Sequence, residues 1–389
     1  MDFNFDQIID RRGTYSLKWD FLQEKVGDEE IIPLWVADMD FLSPPSVIEA
    51  LRKRAAHGIY GYTGLPDSYY QSIIFWMKKR FSWPIEKEWI IFTPGVIPAL
   101  HLAVQAFTQP GDKVIIQPPV YRPFRLAVEN NGRRLIQNTL VNQDGYYRMD
   151  LESLESQIDD QTRLLILCSP HNPVSRVWRA EELKELINLC FNRGIIIISD
   201  EIHADLIMPG FTHLPTSQTS SEAAEITVTC TAPNKTFNIA GLEMGNAIIP
   251  NHRLRARFQQ ALLKAGLFLA NTFGVVATEV AYREGEKWLT AVINYIHQNY
   301  LFLQEYFGHY LPEIKITPLE GTYLAWLDFR AFHLSDKELQ EKLLRKAKVW
   351  LDEGPKFGQG GQGFQRLNLA CPRGLLEEAL ERIVKAFRS

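Results

Sequence analysis

Short apolar runs that alternate with longer helical stretches constrain the fold of this chain more than any other feature. Between about residues 45 and 285, strands are expected at residues 114–116, 164–168, 195–199, 227–231 and 247–249, with helices beginning at residue 45 and covering 96–107 and 181–191. Most of the strand candidates are short runs rich in Val, Ile and Leu, which is typical of strands buried on both faces. The alternation predicts an α/β fold with a mostly parallel sheet that is covered by helices.

The length of 389 residues favours a second, smaller domain, because a single hydrophobic core stops growing at about 250–300 residues. After a long helical stretch at residues 286–310, the pattern predicts strands at 323–327 and 366–370 and helices at 335–346 and 375–387. We expect a large domain at residues 45–285. A smaller α/β domain would combine residues 1–44 with residues 286–389.

Charge and composition argue against several classes of partner. The formal net charge of -4 leaves no basic excess for nucleic acid. The nine histidines include no His-Glu-x-x-His motif, so no metal site is expected. No apolar run approaches the roughly 20 residues that a membrane helix needs, and the acidic N-terminus does not resemble a signal peptide. Four widely spaced cysteines without a Cys-x-x-Cys pair indicate reduced thiols and a cytoplasmic location.

Polar or flexible residues follow several predicted strands, and ligands of α/β sheets bind beyond the carboxyl ends of the strands. These residues are Gly95, Tyr121, Asn172, Asp200 and Lys235. A lysine ε-amine can hold an aldehyde cofactor as a Schiff base, and a buried aspartate can keep a pyridine nitrogen protonated. Lys235 and Asp200 therefore point to pyridoxal 5′-phosphate (PLP) and to chemistry at an amino-acid α-carbon.

Each candidate also has an ordinary structural explanation. The turn at residues 93–98 offers free amides to a phosphate at a helix N-terminus, but it also fits a simple strand-to-helix connection. Asp200 fits a helix cap, Asn172 a turn and Tyr121 core packing. Arg366 lies within a predicted strand, where it faces either a substrate carboxylate or solvent. The expected convergence of these residues on one crevice favours the ligand-binding interpretation.

Taken in order along the chain, the motifs resemble those of the fold-type I PLP-dependent enzymes, the class I/II aminotransferase superfamily. They are Thr93-Pro94-Gly95-Val96, Pro119-Val120-Tyr121, Pro170-His171-Asn172-Pro173, Asp200-Glu201-Ile202-His203, Lys235-Thr236-Phe237-Asn238 and Arg366-x-Asn368. Within this superfamily, residues 35–41 (WVADMDF), residues 61–63 (GYT) and Asp200 to His203 resemble the MalY, PatB and cystalysin group of cystathionine β-lyases. The resemblance spans nearly the whole chain and implies a PLP-dependent transferase-like large domain.

The resemblance implies a role for each matched residue. Lys235 would hold PLP and accept the α-proton of the substrate, Asp200 would face the pyridine nitrogen and Tyr121 would stack on the ring. Further cofactor contacts would come from Gly95, Val96, Ile97, Asn172, His203, Asn234 and, from the neighbouring subunit of a homodimer, Tyr62. Arg366 and Ala37 would bind the substrate.

Four residues depart from the patterns of the superfamily. Asn234 stands where relatives usually have serine, Ser175 where they often have glycine, and Ala232 where many have a hydroxyl side chain. Glu243 falls where many aminotransferases place a phosphate-binding arginine, and an anion beside a phosphate is repulsive. These departures affect the affinity for the cofactor phosphate.

The leading functional hypothesis is β-elimination of a thiol from cystathionine or another cysteine S-conjugate, which ends in pyruvate and ammonia. An aminotransferase is the alternative, because the same lysine can return the proton to the cofactor. A third hypothesis is a regulatory protein on this scaffold, because some relatives also bind a transcription regulator. The substrate side chain would meet Tyr15, Tyr60, Leu42 or the glycine-rich loop at residues 358–363, and spacing does not choose among them.

Overall fold

The structure is a computed structural model, and it describes residues 3–388. Its strands, in chain order, are β1 (Ile32–Pro33), β2 (Ile90–Thr93), β3 (Lys113–Ile116), β4 (Arg134–Gln137), β5 (Val141–Gln143), β6 (Tyr146–Arg148), β7 (Thr162–Cys168), β8 (Ile196–Asp200), β9 (Thr227–Thr231), β10 (Gly245–Ile248), β11 (Lys315–Ile316), β12 (Leu324–Asp328), β13 (Val349–Trp350), β14 (Asp352–Glu353) and β15 (Phe364–Asn368).

The helices lie between these strands and at both sides of them. They are α1 (Leu22–Val26), α2 (Pro45–Ala56), α3 (Asp67–Phe81), α4 (Val96–Phe107), α5 (Pro123–Glu129), α6 (Leu151–Gln157), α7 (Ala180–Asn192), α8 (Ser221–Ile226), α9 (Pro233–Thr236), α10 (His252–Lys264), α11 (Thr272–Glu284), α12 (Glu286–Tyr310), α13 (Asp336–Glu341) and α14 (Arg373–Arg388). Within residues 3–388, no helix combines the length and the apolar character that crossing a membrane requires.

Seven strands form the large sheet, in the order β2-β10-β9-β8-β7-β3-β4. The five strands from β9 to β4 run parallel to one another, whereas β10 is antiparallel to both of its neighbours. The predicted mostly parallel, helix-covered sheet is confirmed. Because β2 thus runs in the same direction as β9, the carboxyl ends of β2, β3, β7, β8 and β9 meet at one edge.

Alternate side chains of the sheet pack on opposite helical layers. On β7, Leu164 and Ile166 face the core that includes α4, α5 and α10, while Leu165 and Leu167 face the core that includes α6, α7 and α8. Both faces are apolar, which is why the strand reads as a continuous hydrophobic run rather than an alternating one.

A four-stranded antiparallel sheet, β11-β12-β15-β14, follows α12. The N-terminal residues 3–44, which we call the arm, lie against this part of the chain: β1 pairs in parallel with β13. Phe5, Leu34 and Phe41 of the arm share one hydrophobic core with Trp288 of α12 and Leu380 of α14. The domain boundaries at residues 44 and 285 stay a prediction.

The C-terminal elements differ in detail from the prediction. Strand β15 begins two residues before the expected start, because Phe364 and Gln365 already pair with β12, and it ends at Asn368. The helix expected at residues 335–346 is α-helical only in α13 and continues as a π-helical segment, Lys342–Ala347. Leu339 in α13 and Leu343 in the π-helical segment are both buried. Their four-residue spacing is compatible with an α-helix and with a π-helix, so the sequence pattern does not distinguish the two helix types.

Candidate active site

A cavity of about 200 Å³ opens at the carboxyl edge of the large sheet. Its walls come from the segments that follow β2, β3, β7, β8 and β9 and from the arm. Ten residues that the sequence analysis selected line it, namely Ala37, Gly95, Val96, Ile97, Tyr121, Asn172, Asp200, His203, Asn234 and Lys235. The cavity is also lined by Glu243 and by five residues without a predicted role, namely Pro94, Pro98, Cys168, Ile202 and Ala240.

Lys235 lies in α9, a single turn that begins with a proline directly after β9. Its Nζ donates a hydrogen bond of 2.5 Å to the carbonyl oxygen of Ala37. Burial lowers the pKa of Lys235 to about 8; the charge of Arg366 acts in the same direction, whereas Asp38 and Asp200 oppose it. An amine with this pKa is partly neutral near pH 7, and only the neutral amine is a nucleophile or a base.

Asp200 is the last residue of β8 and is 6% exposed. Its Oδ1 accepts a hydrogen bond of 3.1 Å from the backbone N–H of Ile202. Burial raises the pKa of Asp200 to about 7, and the neighbouring charge of Glu201 adds to this, while the Ile202 hydrogen bond and Lys235 lower it. A buried carboxylate of this kind is stabilised by a cationic ligand.

Two buried polar atoms of the cavity wall have no hydrogen-bond partner within the described part of the chain. They are Nδ1 of His203 and Oδ1 of Asn234. Burial lowers the pKa of His203 to about 3, helped by the charges of Lys235 and Arg366, so its imidazole is neutral. Because buried polar groups are rarely left unpaired, these two atoms indicate a polar ligand.

The turn between β2 and α4 forms another wall. Gly95 is the N-cap of α4 and has a φ of 112°, a conformation that favours glycine. The backbone amides of the first helical turn have no acceptor inside the helix, and the helix N-terminus attracts anions. Gly245 of β10 packs directly on this turn, because a Cβ atom there would lie 2.9 Å from the carbonyl carbon of Gly95.

Arg366 reaches the site from the other sheet. It lies on β15, is 3% exposed, and donates through Nη1 to Oδ1 of Asn172 at 2.9 Å. Its Nη2 donates to the carbonyl oxygen of Trp35 and to Oδ2 of Asp352, both at 2.7 Å. Arg366 is therefore not a solvent-facing edge residue: its side chain is buried, and β15 lies between β12 and β14. It stands just behind the cavity wall, in contact with Asn172.

Tyr121 connects the same region to β3. Its backbone N–H donates to the carbonyl oxygen of Asn172 at 3.1 Å, and its side chain lines the cavity. Burial raises the pKa of Tyr121, so the phenol stays neutral. An uncharged aromatic ring at this wall can lie against a flat ligand.

Tyr62 and the candidates for side-chain recognition do not line the cavity. Tyr62 is 95% exposed, and Tyr15, Tyr60 and Leu42 are also exposed. The glycine-rich loop instead packs on the two prolines that precede Tyr121: Cβ atoms at Gly358 and Gly360 would lie 3.3 Å from Pro118 and Pro119.

Two of the residues that depart from the superfamily patterns have visible consequences. Ser175 adopts a φ of 58°, a left-handed conformation that the glycine of the usual motif takes without strain. Glu243 also has a positive φ, of 52°, and is one of the residues that line the cavity.

Two asparagines that the motifs contain, but to which no role was given, fix the arm at the cavity. Asn238 makes three hydrogen bonds of 2.8 to 3.0 Å with the backbone of Met39 and Phe41. Asn368 donates to the two carbonyls that flank Ala37, at 2.7 and 2.6 Å. The partners lie far apart in the chain, so residue spacing carries no signal for them.

Comparison with known proteins agrees with this site. Residues 29–383 match the family model described as "Aminotransferase class I and II". The chain is 46% identical over 385 residues to cystathionine beta-lyase PatB of Bacillus subtilis (strain 168), covering 99% of this chain and 100% of that protein. It is 32% identical over 391 residues to protein MalY of Escherichia coli (strain K12), covering 100% and 99% of the two chains.

A solved structure extends the comparison to three dimensions. Cystalysin from Treponema denticola, which contains a pyridoxal 5′-phosphate cofactor, has a TM-score of 0.96 and 43% sequence identity, covering 100% of this chain and 99% of that chain. These similarities confirm the resemblance to the MalY, PatB and cystalysin group. From the matched length, the sequence identity and the shared fold, this chain belongs to the class I and II aminotransferase family of PLP-dependent enzymes.

Proposed function

We propose that this protein is a PLP-dependent carbon–sulfur β-lyase that cleaves cystathionine or related cysteine S-conjugates to a thiol, pyruvate and ammonia. One observation carries the proposal: Lys235 and Asp200 line a single cavity in a chain similar over its whole length to a protein named cystathionine beta-lyase.

The residues of the cavity fit PLP group by group. Asp200, which is buried and has one carboxylate oxygen hydrogen-bonded to Ile202, fits the protonated pyridine nitrogen, and Lys235 fits the aldehyde. The amides of residues 95–97 at the start of α4 fit the phosphate. His203 and Asn234 supply the unpaired polar atoms for further hydrogen bonds. Tyr121 and Asn172 of the same wall are assigned to the ring face and the phenolate oxygen.

Lys235 and Ala37 have separate roles in the elimination reaction. When bound, PLP supplies an electron-withdrawing ring that stabilises negative charge at the substrate α-carbon. Lys235, whose pKa is about 8, takes up the α-proton at Nζ, and the Ala37 carbonyl orients that amine. With the proton held at Nζ, the bond from the β-carbon to sulfur breaks, its electron pair leaves with sulfur, and the thiolate takes up a proton to give the thiol. One water molecule then hydrolyses the remaining unsaturated amino acid to pyruvate and ammonia.

Arg366 orients the substrate carboxylate in this proposal, and Asn172 helps to hold Arg366 in place. The guanidinium is held by Asp352 and Asn172, while its Nε has no partner among residues 3–388. It therefore keeps a donor for a planar carboxylate. Holding the substrate at this end fixes the α-hydrogen toward Lys235.

The test is product analysis with purified, PLP-loaded protein. Cystathionine, cysteine and cystine should yield pyruvate, with one sulfur product released per pyruvate, and alanine should yield none because it has no β-leaving group. Lys235→Ala should abolish pyruvate release, while Lys264→Ala, at an exposed position of α10, should keep it. A protein that binds PLP yet forms no pyruvate from any S-conjugate is not a lyase.

An aminotransferase is the second candidate function, favoured by the family model itself and by the fact that Lys235 suits proton transfer in both reactions. The same protein is incubated with amino acids and a 2-oxo acid. Transfer of the amino group to the 2-oxo acid at a rate above that of pyruvate release would replace the lyase assignment.

A homodimer is part of the proposal, with Tyr62 of each subunit reaching the phosphate in the neighbouring site. Tyr62 and its neighbours Ile59 and Tyr60 are 95%, 68% and 56% exposed. The segment pairs with Ala270, and Phe268 beside it is 57% exposed. Exposed apolar residues that cluster in this way are typical of a protein–protein interface.

We also propose that the protein is located in the cytoplasm, which is a reducing compartment. All four cysteines are free and buried. Burial raises the pKa of Cys190 and of Cys371 to about 12, so these thiols stay protonated and unreactive. Such cysteines behave as small apolar core residues.

A further inference from the structure

Four charged side chains of the arm form a cluster directly beside Ala37. We call Arg11, Lys18, Asp38 and Asp40 the arm charge cluster. Arg11 donates to both carboxylate oxygens of Asp38, at 3.2 and 2.6 Å, and to Oδ1 of Asp40 at 2.7 Å. Nζ of Lys18 lies 2.5 Å from Oδ2 of Asp40 and 3.6 Å from Oδ1 of Asp38. Two cations thus balance two carboxylates.

The burial of this cluster is more than anchoring the arm requires. Lys18 is fully buried and Asp40 is 5% exposed. Desolvating charges costs several kcal/mol per ion, and apolar side chains often stabilise a fold as well as a buried ion pair does. Phe5 and Phe41 already anchor the arm in an apolar core. The charges therefore call for a role beyond anchoring.

The cluster is linked to Lys235 through one peptide unit. The Ala37 carbonyl oxygen accepts hydrogen bonds from Nζ of Lys235 at 2.5 Å and from the hydroxyl of Tyr323 at 2.9 Å. Asp38 is the next residue, and its charge raises the pKa of Lys235 against the effect of burial. A displacement of Asp38, or the loss of its charge, therefore changes the proton affinity of the Lys235 ε-amine.

Charged and titratable groups face Lys235 from three other segments. Asp200 ends β8, His203 follows it, and Arg366 projects from β15. These groups are held by contacts that do not involve the arm charge cluster: Asp200 by Ile202, Arg366 by Asp352. A change within the arm charge cluster therefore acts on Lys235 through Asp38 and Ala37.

We propose that Arg11 and Lys18 are positioning residues: by holding and neutralising Asp38 and Asp40, they keep the Ala37 carbonyl at the Lys235 ε-amine and set the proton affinity of that amine. This inference rests on the proposed function, in which Lys235 carries PLP and moves the α-proton. Neither residue touches the substrate; both act through the arm.

Substitutions at Arg11 and at Asp38 should shift the pKa of Lys235 in opposite directions. Removing Arg11 leaves negative charge at Asp38 uncompensated, and an uncompensated anion raises the pKa of a nearby amine. Removing the charge of Asp38 lowers that pKa. We expect shifts of about 0.5 to 1 pH unit in opposite directions, and a fall in kcat of about ten-fold for the Arg11 variant with little change in KM.

The experiment uses the PLP-loaded enzyme and two readouts. The absorption spectrum of the bound cofactor is titrated with pH, which reports the proton on the nitrogen of Lys235 without turnover, and pyruvate release is measured over the same range. The variants are Arg11→Met, Lys18→Met, Asp38→Asn and the conservative Arg11→Lys. Arg12→Met is the matched control, because the Arg12 side chain is exposed and, within residues 3–388, its contacts are outside the arm charge cluster: it donates to the Glu29 carbonyl at 3.5 Å and lies over the Trp19 ring.

The outcomes are distinct. Opposite spectral shifts for Arg11→Met and Asp38→Asn, partial recovery with Arg11→Lys and no shift for Arg12→Met would support the proposal. If the Arg11 and Lys18 variants fail to fold, the test uses Asp38→Asn alone, because this substitution conserves size. The direction of its spectral shift then decides for or against the proposal. Spectral midpoints equal to that of the wild type, with activity lost only in proportion to stability, would overturn it. A wild-type protein without bound PLP would refute the proposed function as well.

Discussion

At the scale of single residues, the ionisation of Asp200 depends on what the carboxylate faces. In the chain alone, burial raises its pKa to about 7. A cation against its free oxygen would reverse this shift, because an opposite charge favours the ionised form. Asp200 is thus placed to bind a protonated ring nitrogen. Without such a cation, the ionised carboxylate is energetically unfavourable at this buried position.

This gives a prediction for the cofactor-free protein. The folded pKa of about 7 lies above the value of about 3.9 in an unfolded chain, so stability from the protonated form is present below pH 4 and is lost as pH rises toward 7. The free energy of unfolding of the wild type, relative to Asp200→Asn, should therefore fall by a few kcal/mol over this window, as measured by urea unfolding at several pH values.

Asp160→Asn, at an exposed turn, is the control and should show no such dependence. A difference between wild type and Asp200→Asn that stays constant from pH 4 to 7 would contradict the assignment. Adding PLP should remove the loss, since the cofactor nitrogen then pairs with the carboxylate.

Glu243 gives a second prediction at this scale. Glu243 is one of the residues that line the cavity that we assign to a phosphorylated cofactor. Carboxylate and phosphate repel each other, at a cost of about 1 kcal/mol at close range even in a high dielectric. Glu243→Gln should tighten PLP binding about five-fold and Glu243→Arg further, measured as the Kd from cofactor absorbance.

The control for this prediction is Glu284→Gln, at the end of α11 and outside the cavity wall, which should leave the Kd for PLP unchanged. Weaker binding in Glu243→Gln would mean that the carboxylate helps to hold the cofactor rather than repelling it.

The residues that were predictable from the sequence differ from the others in one respect. Asp200 and Lys235 follow buried strands, and the common edge of a parallel sheet brings such residues together. Asn368 and the arm charge cluster act through partners on other parts of the chain that no periodicity relates to them. Their contacts exist only because the folded arm lies against the cavity.

At the scale of elements, β10 supports the turn that receives the phosphate in our proposal. Gly245 allows β10 to approach Gly95 so closely that a Cβ atom would lie 2.9 and 3.0 Å from two of its backbone atoms. Gly245→Ala should push the turn away from its position, costing about 1–3 kcal/mol of stability and weakening PLP binding at least ten-fold.

Gly241→Ala is the matched control, because, beyond its own turn of the chain, no atom of residues 3–388 lies within 4 Å of a Cβ atom at that position. The measurements are thermal unfolding and the Kd for PLP. A Gly245→Ala protein that binds PLP as tightly as the wild type would show that the turn tolerates displacement.

The same strand marks the limit of what the sequence could predict about the fold. The apolar runs of β7, β8 and β9 and the periodicity of α4 and α12 identified those elements within a few residues. A run of four apolar or small residues does not encode strand direction, so the antiparallel placement of β10 could not be predicted. Direction is set by which neighbours the connections allow the strand to reach.

At the scale of the whole molecule, two subunits share each site in our proposal. Tyr62→Ala and Lys235→Ala should each be nearly inactive alone. If both are mixed, unfolded and refolded together, mixed dimers carry one complete site, and activity should return to about a quarter of the wild type, since half of the dimers are mixed and one of their two sites is complete.

Tyr310→Ala, at a 48% exposed residue at the end of α12, is the control and should be active without mixing. A sedimentation mass of one 44.8 kDa chain, or no gain of activity on mixing, would contradict the shared site.

The central claim is that the Lys235 ε-amine holds PLP in this cavity. It is tested most directly by adding PLP to the purified protein, reducing with borohydride and locating the phosphopyridoxyl group by peptide mass spectrometry. We expect one modified residue per chain, Lys235, and none in Lys235→Ala. Labelling spread over exposed lysines, or none at Lys235 despite saturating PLP, would contradict it.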